Sequence, residues 1–522
     1  MTFRRVVPYL TFLAVLAMAI RPSIDTDTWW HLRAGDWMLE HGQILRQDVF
    51  SSTMQGVEWV YPGWLAQIAM RGVVESTGLA GLSLFTAVSV LIALAVVWPL
   101  LEGPLLLRSA VLLLAAATSA IYWSARPQIL SFALTGITLW ILEGSEGVGP
   151  RRLWLLPVVL ALWANLHGGF AIGLILVGAT VLAEALEMLV GDRARGLRWS
   201  EAWTFRKGRL GRMIGWGVAS ALAVGLNPFG LPMLLYPWKT VSIGALQSYI
   251  QEWQSPNFHA AATQPFLAML LLLLLAVSGS RRPMSAVEVV RGAALVTLGL
   301  LAARNIAPFA LVAAPIISRH LASTMDRWKV LWPPSRPFSE RLARGLNLVL
   351  VVVLTLAAIL WSAVQLNAAT IQAHVDRLVP RTAFEWLARR PMPENLFHSY
   401  NWGGYVLWRL YPDYRTFVDG RTDVFPAKVL EDYLEAWSGG PRWNEVLNAY
   451  EVETVLVEPS APLAQVLSQA GWETLYQDLQ AVVFRRPQTQ AKWGSRPVGT
   501  SNALGGDAGP PARKSGFEGA DG

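Results

Sequence analysis

Asp25 and Asp27 are the residues of this chain best placed to do chemistry, in the run Asp25-Thr26-Asp27-Thr28-Trp29-Trp30-His31. Two carboxylates at this spacing can ligate a divalent cation such as Mg or Mn through oxygen, or one can act as a general base. Trp29 and Trp30 add a stacking platform, and His31 a ring that titrates near neutral pH. The same residues also fit a purely structural pattern. Asp27 or Thr28 can serve as N-cap of a helix running to about Glu40, with a carboxylate near the positive end of its dipole.

Other polar residues interrupt apolar runs. Arg126 precedes Pro127, Asn165 and His167 end one apolar stretch, Asn227 ends another, and Arg304-Asn305 separates two more. A charge at the centre of a membrane helix costs roughly 2.5–3.5 kcal/mol, so such residues call for an explanation. Guanidinium pairs with phosphate bidentately, which gives Arg126 and Arg304 a role in holding an anion; snorkelling to lipid headgroups is the alternative. The unbroken apolar context on both sides of Arg304-Asn305 favours the first for Arg304. His167 can bond a substrate or a metal, or be satisfied by neighbouring backbone, and the glycines after it suit a tight reversal. No HxxxH or HExxH spacing supports a zinc enzyme.

The elements that must position these residues follow from composition. The chain has 522 residues, 53% hydrophobic and 15% charged, whereas a water-soluble domain carries about 25% charge. Mean hydropathy is +0.37. A membrane-crossing helix needs about 20 apolar residues. Candidate spans fall at 6–21, 80–101, 105–123, 127–143, 152–167, 169–190, 212–228, 264–279, 286–303, 305–319 and 346–366, about eleven in all. Arg4 and Arg5 precede the first, but Arg21-Pro22 follows it without a small-residue cleavage site, so it reads as a retained anchor.

Basic residues set the orientation. Arg193, Arg195, Arg198, Arg206, Lys207, Arg209 and Arg212 crowd one connection, and Arg319, Arg327, Lys329, Arg336, Arg341 and Arg344 another; Arg151, Arg152, Arg281 and Arg282 fall on the same side. The segment 229–263 on the opposite side holds only Lys239. This predicts an inner-membrane protein with its N-terminus in the cytoplasm and everything after 366 outside. Asp25, Asp27, Arg126, Asn165, His167, Asn227, Arg304 and Asn305 then share the outer face. Net charge is +7, from 43 basic and 36 acidic residues, with no nucleic-acid-binding motif, so nucleic acid is not an expected partner. With no cysteine, disulfides, thiol nucleophiles and cysteine metal sites are excluded.

Three regions result: a bundle over 1–366 with an outer loop at 22–79, an α/β domain over 367–486, and a disordered Gly/Pro/Ala/Ser-rich tail over 487–522. In the α/β domain, helices are predicted at 382–389, 404–410, 429–436 and 462–469. Strands are predicted at 395–400, 415–419 and 453–457, with a terminal hairpin over 472–485. Tyr400 to Tyr405 and Val418 to Asp423 are its dense polar–aromatic segments. Asp419 and Arg421 read as an internal pair fixing the Gly420 turn, or as sugar or phosphate contacts.

This layout, with Asp25-x-Asp27 opening the first outer loop, resembles the GT-C superfamily of integral-membrane glycosyltransferases over roughly residues 6–366. Asn401-Trp402-Gly403-Gly404-Tyr405 and Asp419-Gly420-Arg421 are also similar to segments of bacterial polytopic membrane proteins placed near that superfamily. A WWD-type acceptor motif is not found. The resemblance implies a sugar donor linked to polyprenyl phosphate, held at Arg304 and Arg126, and an envelope glycan, lipid or protein acceptor. It makes Asp25 or Asp27 the base or the cation ligand, with Trp29, Trp30, His31, Asn165, His167, Asn227 and Asn305 around the substrates. A scaffold or exporter component, or a transporter, are the alternatives. A single outward cavity of carboxylates and arginines separates the first reading from these, since a transporter binds near the bilayer midplane.

Overall fold

The computed structural model describes residues 2–143, 152–195, 199–244, 250–328, 339–390 and 395–487. From 488 onward the predicted tail lies outside them, as does Pro391-Met392-Pro393. The side chains of Arg151, Arg193, Arg195, Arg198, Arg206, Arg327, Lys329 and Arg336 are likewise outside the description.

Helices run through all the predicted apolar stretches, from Phe3–Ala19 to Glu340–Gln365. Among the described residues, six helical segments are long and apolar enough to cross a membrane. Packing sorts them. Ala303–Met325 is 83% buried and forms the centre of the bundle, whereas Arg341–Gln365 is 11% buried and lies at its edge. The bundle core gathers Val15, Phe132, Phe266 and Phe309.

That central helix joins two layers of charge. Arg304 stands just before its start, and Arg319 lies about 20 Å further along at 1.5 Å per residue. Arg319 pairs with Glu143 at 2.8 Å, Glu288 at 2.9 Å and Glu102 at 3.1 Å, while Arg291 pairs with Glu143 at 2.5 Å. Glu288 and Arg291 are therefore buried in an ion network inside the bundle.

The outer loop contains the helices Thr28–His41 and Trp64–Thr77, which pack on each other. Thr28–His41 stops at Gly42, whose φ of 62° is unfavourable for other residues. The apolar face of the loop packs against the C-terminal region. Trp30, Ala34, Met38, Phe50 and Trp59 share one core with Phe397, Phe417, Val455 and Phe484. Ile24, Trp29 and Leu32 share another with Phe384, Tyr405 and Val483. Each large side chain so buried contributes about 1.5–3 kcal/mol.

The C-terminal region carries a four-stranded sheet of β1 (Asn395–His398), β2 (Val452–Val457), β3 (Glu473–Gln477) and β4 (Val482–Arg485), in the order β1-β2-β4-β3. β1 runs parallel to β2, and the other pairs are antiparallel. The predicted helices are present, and Ala368–Leu378 and Trp443–Ala449 add two that were not expected.

The predicted strand at 415–419 does not join this sheet. Its backbone pairs with the outer loop: Thr416 N–H donates to the Phe50 carbonyl at 3.1 Å, and Ser52 N–H donates to the Thr416 carbonyl at 2.9 Å. Phe417 N–H donates to Nε2 of His398 at 3.1 Å. These partners take up the Thr416 backbone and the Phe417 N–H without a ladder. The consequence is that residues 418–423 are laid against the start of the outer loop.

Candidate active site

Asp25 builds the local frame. Its Oδ1 accepts from the backbone N–H groups of Asp27 at 3.1 Å and Thr28 at 3.0 Å, and from the Thr28 hydroxyl at 3.0 Å. This is capping by the residue two places before the expected one. Asp27 occupies the N-cap position but makes no capping hydrogen bond, so its carboxylate is free to turn elsewhere.

It turns to Arg126, whose guanidinium is surrounded by acid. Nε meets Asp25 Oδ2 at 2.9 Å, Nη1 meets Asp27 Oδ2 at 2.7 Å, and Nη2 meets Glu252 Oε2 at 3.0 Å. Glu252 lies in the short turn Gln251–Trp253, which is tied to the Arg304 turn by the Ala303 N–H donating to the Gln254 carbonyl at 3.0 Å. Glu252 also faces Arg304 at 3.9 Å, and that guanidinium lies 4.1 Å over the Trp253 ring.

A cavity of about 460 Å³ opens between these groups, within the range of about 300–1,000 Å³ usual for small-molecule sites. Asp27, Trp30, His31, Arg126, His167, Arg304 and Asn305 line it, as the outer-face clustering predicts. Tyr61, Tyr122, Tyr236, Glu252, Thr422 and Asp423 line it too, and none of these was among the expected site residues.

Four predicted residues stand behind the wall. Asp25 frames the loop. Trp29 is buried against Tyr405 and Trp408. Asn165 accepts from Trp64 Nε1 at 2.8 Å, and Asn227 donates to the Ala164 carbonyl at 2.7 Å, so both amides fasten helix ends.

The C-terminal region closes the site through two glycines. A Cβ on Gly420 would lie 2.0 Å from Asp27 Oδ1, and one on Gly404 would lie 2.5 Å from the Thr26 carbonyl oxygen. Only glycine lets these two segments approach the Asp25–Asp27 turn so closely. Behind Gly420, buried Arg421 pairs with Asp419 at 2.7 Å and with Asp48 of the outer loop at 2.5 Å.

Burial sets the protonation of the lining groups. It pushes the Asp27 carboxyl up to about 6, against Arg126 and with help from the charges of Asp25 and Glu252. Burial also pushes Asp423 up to about 6, although Trp59 Nε1 donates to its Oδ2 at 3.3 Å. For Glu252 burial is outweighed by Arg126 and Arg304, which hold it below the usual carboxylate range. Burial, then the charge of Arg126, keeps His31 neutral. His167 Nδ1 accepts from the Gly169 N–H at 3.0 Å, which places its ring proton on Nε2.

A divalent cation at the acidic pair would compete with Arg126 for the same carboxylates. A hard metal needs several uncommitted oxygens. Arg126 stands where Asp25, Asp27 and Glu252 converge, and both oxygens of Asp25 are engaged. Among the described residues no group of three His, Asp or Glu side chains is arranged to hold a metal.

No known family description and no curated protein sequence matches the chain. Among solved structures it is similar to the archaeal oligosaccharyltransferase AglB from Archaeoglobus fulgidus, in complex with an inhibitory peptide and a dolichol-phosphate. That match has 12% identity and a TM-score of 0.55, over 88% of this chain and 70% of that one. ArnT from Cupriavidus metallidurans bound to undecaprenyl phosphate aligns at 13% identity with a TM-score of 0.46, over 93% of this chain and 98% of that one. At such identities the likeness is one of fold. The chain shares a multi-pass fold with AglB, and that structural similarity is distant.

Proposed function

We propose that this chain is a GT-C-type glycosyltransferase of the cytoplasmic membrane, with its N-terminus inside, about eleven spans and its C-terminal region outside. It takes a sugar from a polyprenyl-phosphate carrier and passes it to a hydroxyl on an extracytoplasmic acceptor. The observation that carries this reading is the single cavity that joins Asp27 to Arg304. A carboxylate with a raised pKa and an arginine with donors to spare, in one enclosure, are what such a displacement needs. A scaffold has no use for this cavity, and the dolichol-phosphate bound to the fold relative AglB supports a lipid-phosphate ligand.

The roles follow from the contacts. Arg126 is fully engaged by three carboxylates, so it acts as a positioning residue for Asp27. Arg304 keeps N–H donors for the phosphate. The acceptor hydroxyl attacks the anomeric carbon, Asp27 takes its proton, and the bond from that carbon to the phosphate oxygen breaks. Polyprenyl phosphate leaves with its negative charge against Arg304, while His167 Nε2–H and Asn305 are donors on the same wall. Arg126, in this reading, supplies the positive charge that a cation would otherwise bring to the acidic pair.

The test is purified protein incubated with labelled polyprenyl-phosphate sugars and envelope extract. Label should move to an acceptor, and Arg304→Gln should stop it. If no label moves with any sugar, or if the Arg304→Gln protein works as well as the natural one, the reading is wrong. Activity should survive EDTA; its loss on chelation and return with Mg or Mn would show that the acidic pair binds metal after all.

A further inference from the structure

The cavity has two unlike ends, and the reaction above uses only one. At one end lie Arg126, Glu252 and Arg304. At the other lies an aromatic wall with a carboxyl set into it. Trp30 and Tyr61 line it and meet edge-on at 5.4 Å, and buried Trp59 backs Tyr61 with ring centroids 5.5 Å apart. Asp423 stands beside them, bonded to Trp59 and delivered from the C-terminal region by the 418–423 segment.

Asp27, Trp30, Tyr61, Thr422 and Asp423 all line the one cavity, so its aromatic faces and carboxyls meet the same enclosed space. The Trp30 indole N–H is buried with Trp30 only 5% exposed, and it has no hydrogen-bond partner among the described residues. Gly420 packs directly on Trp30 and Asp27: a Cβ there would stand 2.9 Å from Trp30 Nε1 and 2.0 Å from Asp27 Oδ1, so its bare backbone is what lets the 418–423 segment lie against them.

We propose that this aromatic end is the seat of the transferred sugar ring, with Asp423 as the residue that binds its hydroxyl groups. Sugars present apolar C–H faces that lie on aromatic rings and hydroxyls that pair with carboxyl oxygens. A ring seated on Trp30 and Tyr61 has its hydroxyls toward Asp423 and its anomeric carbon toward Asp27. Its phosphate then reaches Arg304 across the cavity. This inference rests on the transferase reading and adds a specificity-determining residue to it, contributed by a region outside the bundle.

The experiment is equilibrium binding to detergent-purified full chain, by intrinsic tryptophan fluorescence. The probes are undecaprenyl phosphate and a panel of undecaprenyl-phosphoryl hexoses and pentoses. At least one sugar-bearing lipid should bind about tenfold or more tighter than undecaprenyl phosphate, since a hydrogen bond to a charged group is worth about 1.5–3 kcal/mol. Asp423→Asn and Asp423→Ala should erase that increment and leave undecaprenyl phosphate binding within about twofold, with Tyr61→Phe keeping most of it.

If the increment survives both Asp423 variants, or if no sugar in the panel gives one, the sugar seat is overturned while the transferase reading stands. Equal weakening of both kinds of lipid in Asp423→Asn would also overturn it, because Asp423 would then only shape the cavity. Failure of the natural protein to bind undecaprenyl phosphate at all would instead overturn the parent reading.

Discussion

At the scale of single residues, Asp25 and Asp27 divide two jobs that the sequence offers to either of them. Asp25 holds the turn and Asp27 faces the cavity. Asp27→Asn should lower transfer by about a hundredfold or more, within the usual span for losing a general base. The base acts ionised, so with a pKa raised to about 6 the rate should fall tenfold per pH unit below 6 and level off above it. The Asn variant should lose that limb. Asp25→Asn should act through stability instead, lowering it by about 1 kcal/mol for the lost cap; thermal unfolding and initial rates together separate the two.

The residues that sequence reasoning brought to one face include Asp27, Arg126, His167, Arg304 and Asn305, and these five line one cavity. Their residue types gave them away, because charge and amide groups between apolar runs need a reason. Glu252 and Asp423 were legible only in part. Glu252 is an acid beside Trp253 in an outer segment holding a single lysine, opposite two arginines, and that imbalance was the available signal. Tyr61 and Tyr236 carried none, since an aromatic residue near a membrane surface is commonplace.

At the scale of elements, the apolar spans were readable because their hydrophobicity is local to each stretch. The 415–419 segment was not. Its alternation fits a strand, but its partners are Phe50 and Ser52 more than 360 residues away, and nothing in its own sequence names them. The same segment ends in Gly420, and the close approach to Asp27 makes a clear test. Gly420→Ala must move the Asp27 carboxylate, and a displacement of about 1 Å can cost a hundredfold in rate. Transfer should drop on that order while the protein still folds. Gly72→Ala, whose Cβ would meet nothing within 4 Å, should leave transfer unchanged and serves as the control.

At the scale of the whole molecule, one buried guanidinium holds the outer loop to the C-terminal region. Arg421→Met leaves Asp48 and Asp419 buried without a counter-charge, and breaking a buried pair in this way costs about 3–5 kcal/mol. Thermal unfolding should show the loss, and a triple variant that also replaces Asp48 and Asp419 by Asn should recover part of it.

That attachment also dictates an order of events during biosynthesis. Asp48 leaves the ribosome 373 residues before Arg421. At about 5–20 residues per second, the first loop waits roughly 20–75 s for its counterpart. Throughout that interval its acidic side chains must stay hydrated and its tryptophans uncovered. On the transferase reading, competence for chemistry therefore arrives in one late event, when the final quarter of the polypeptide docks, and a chain cut short by premature termination would be threaded through the bilayer and inert.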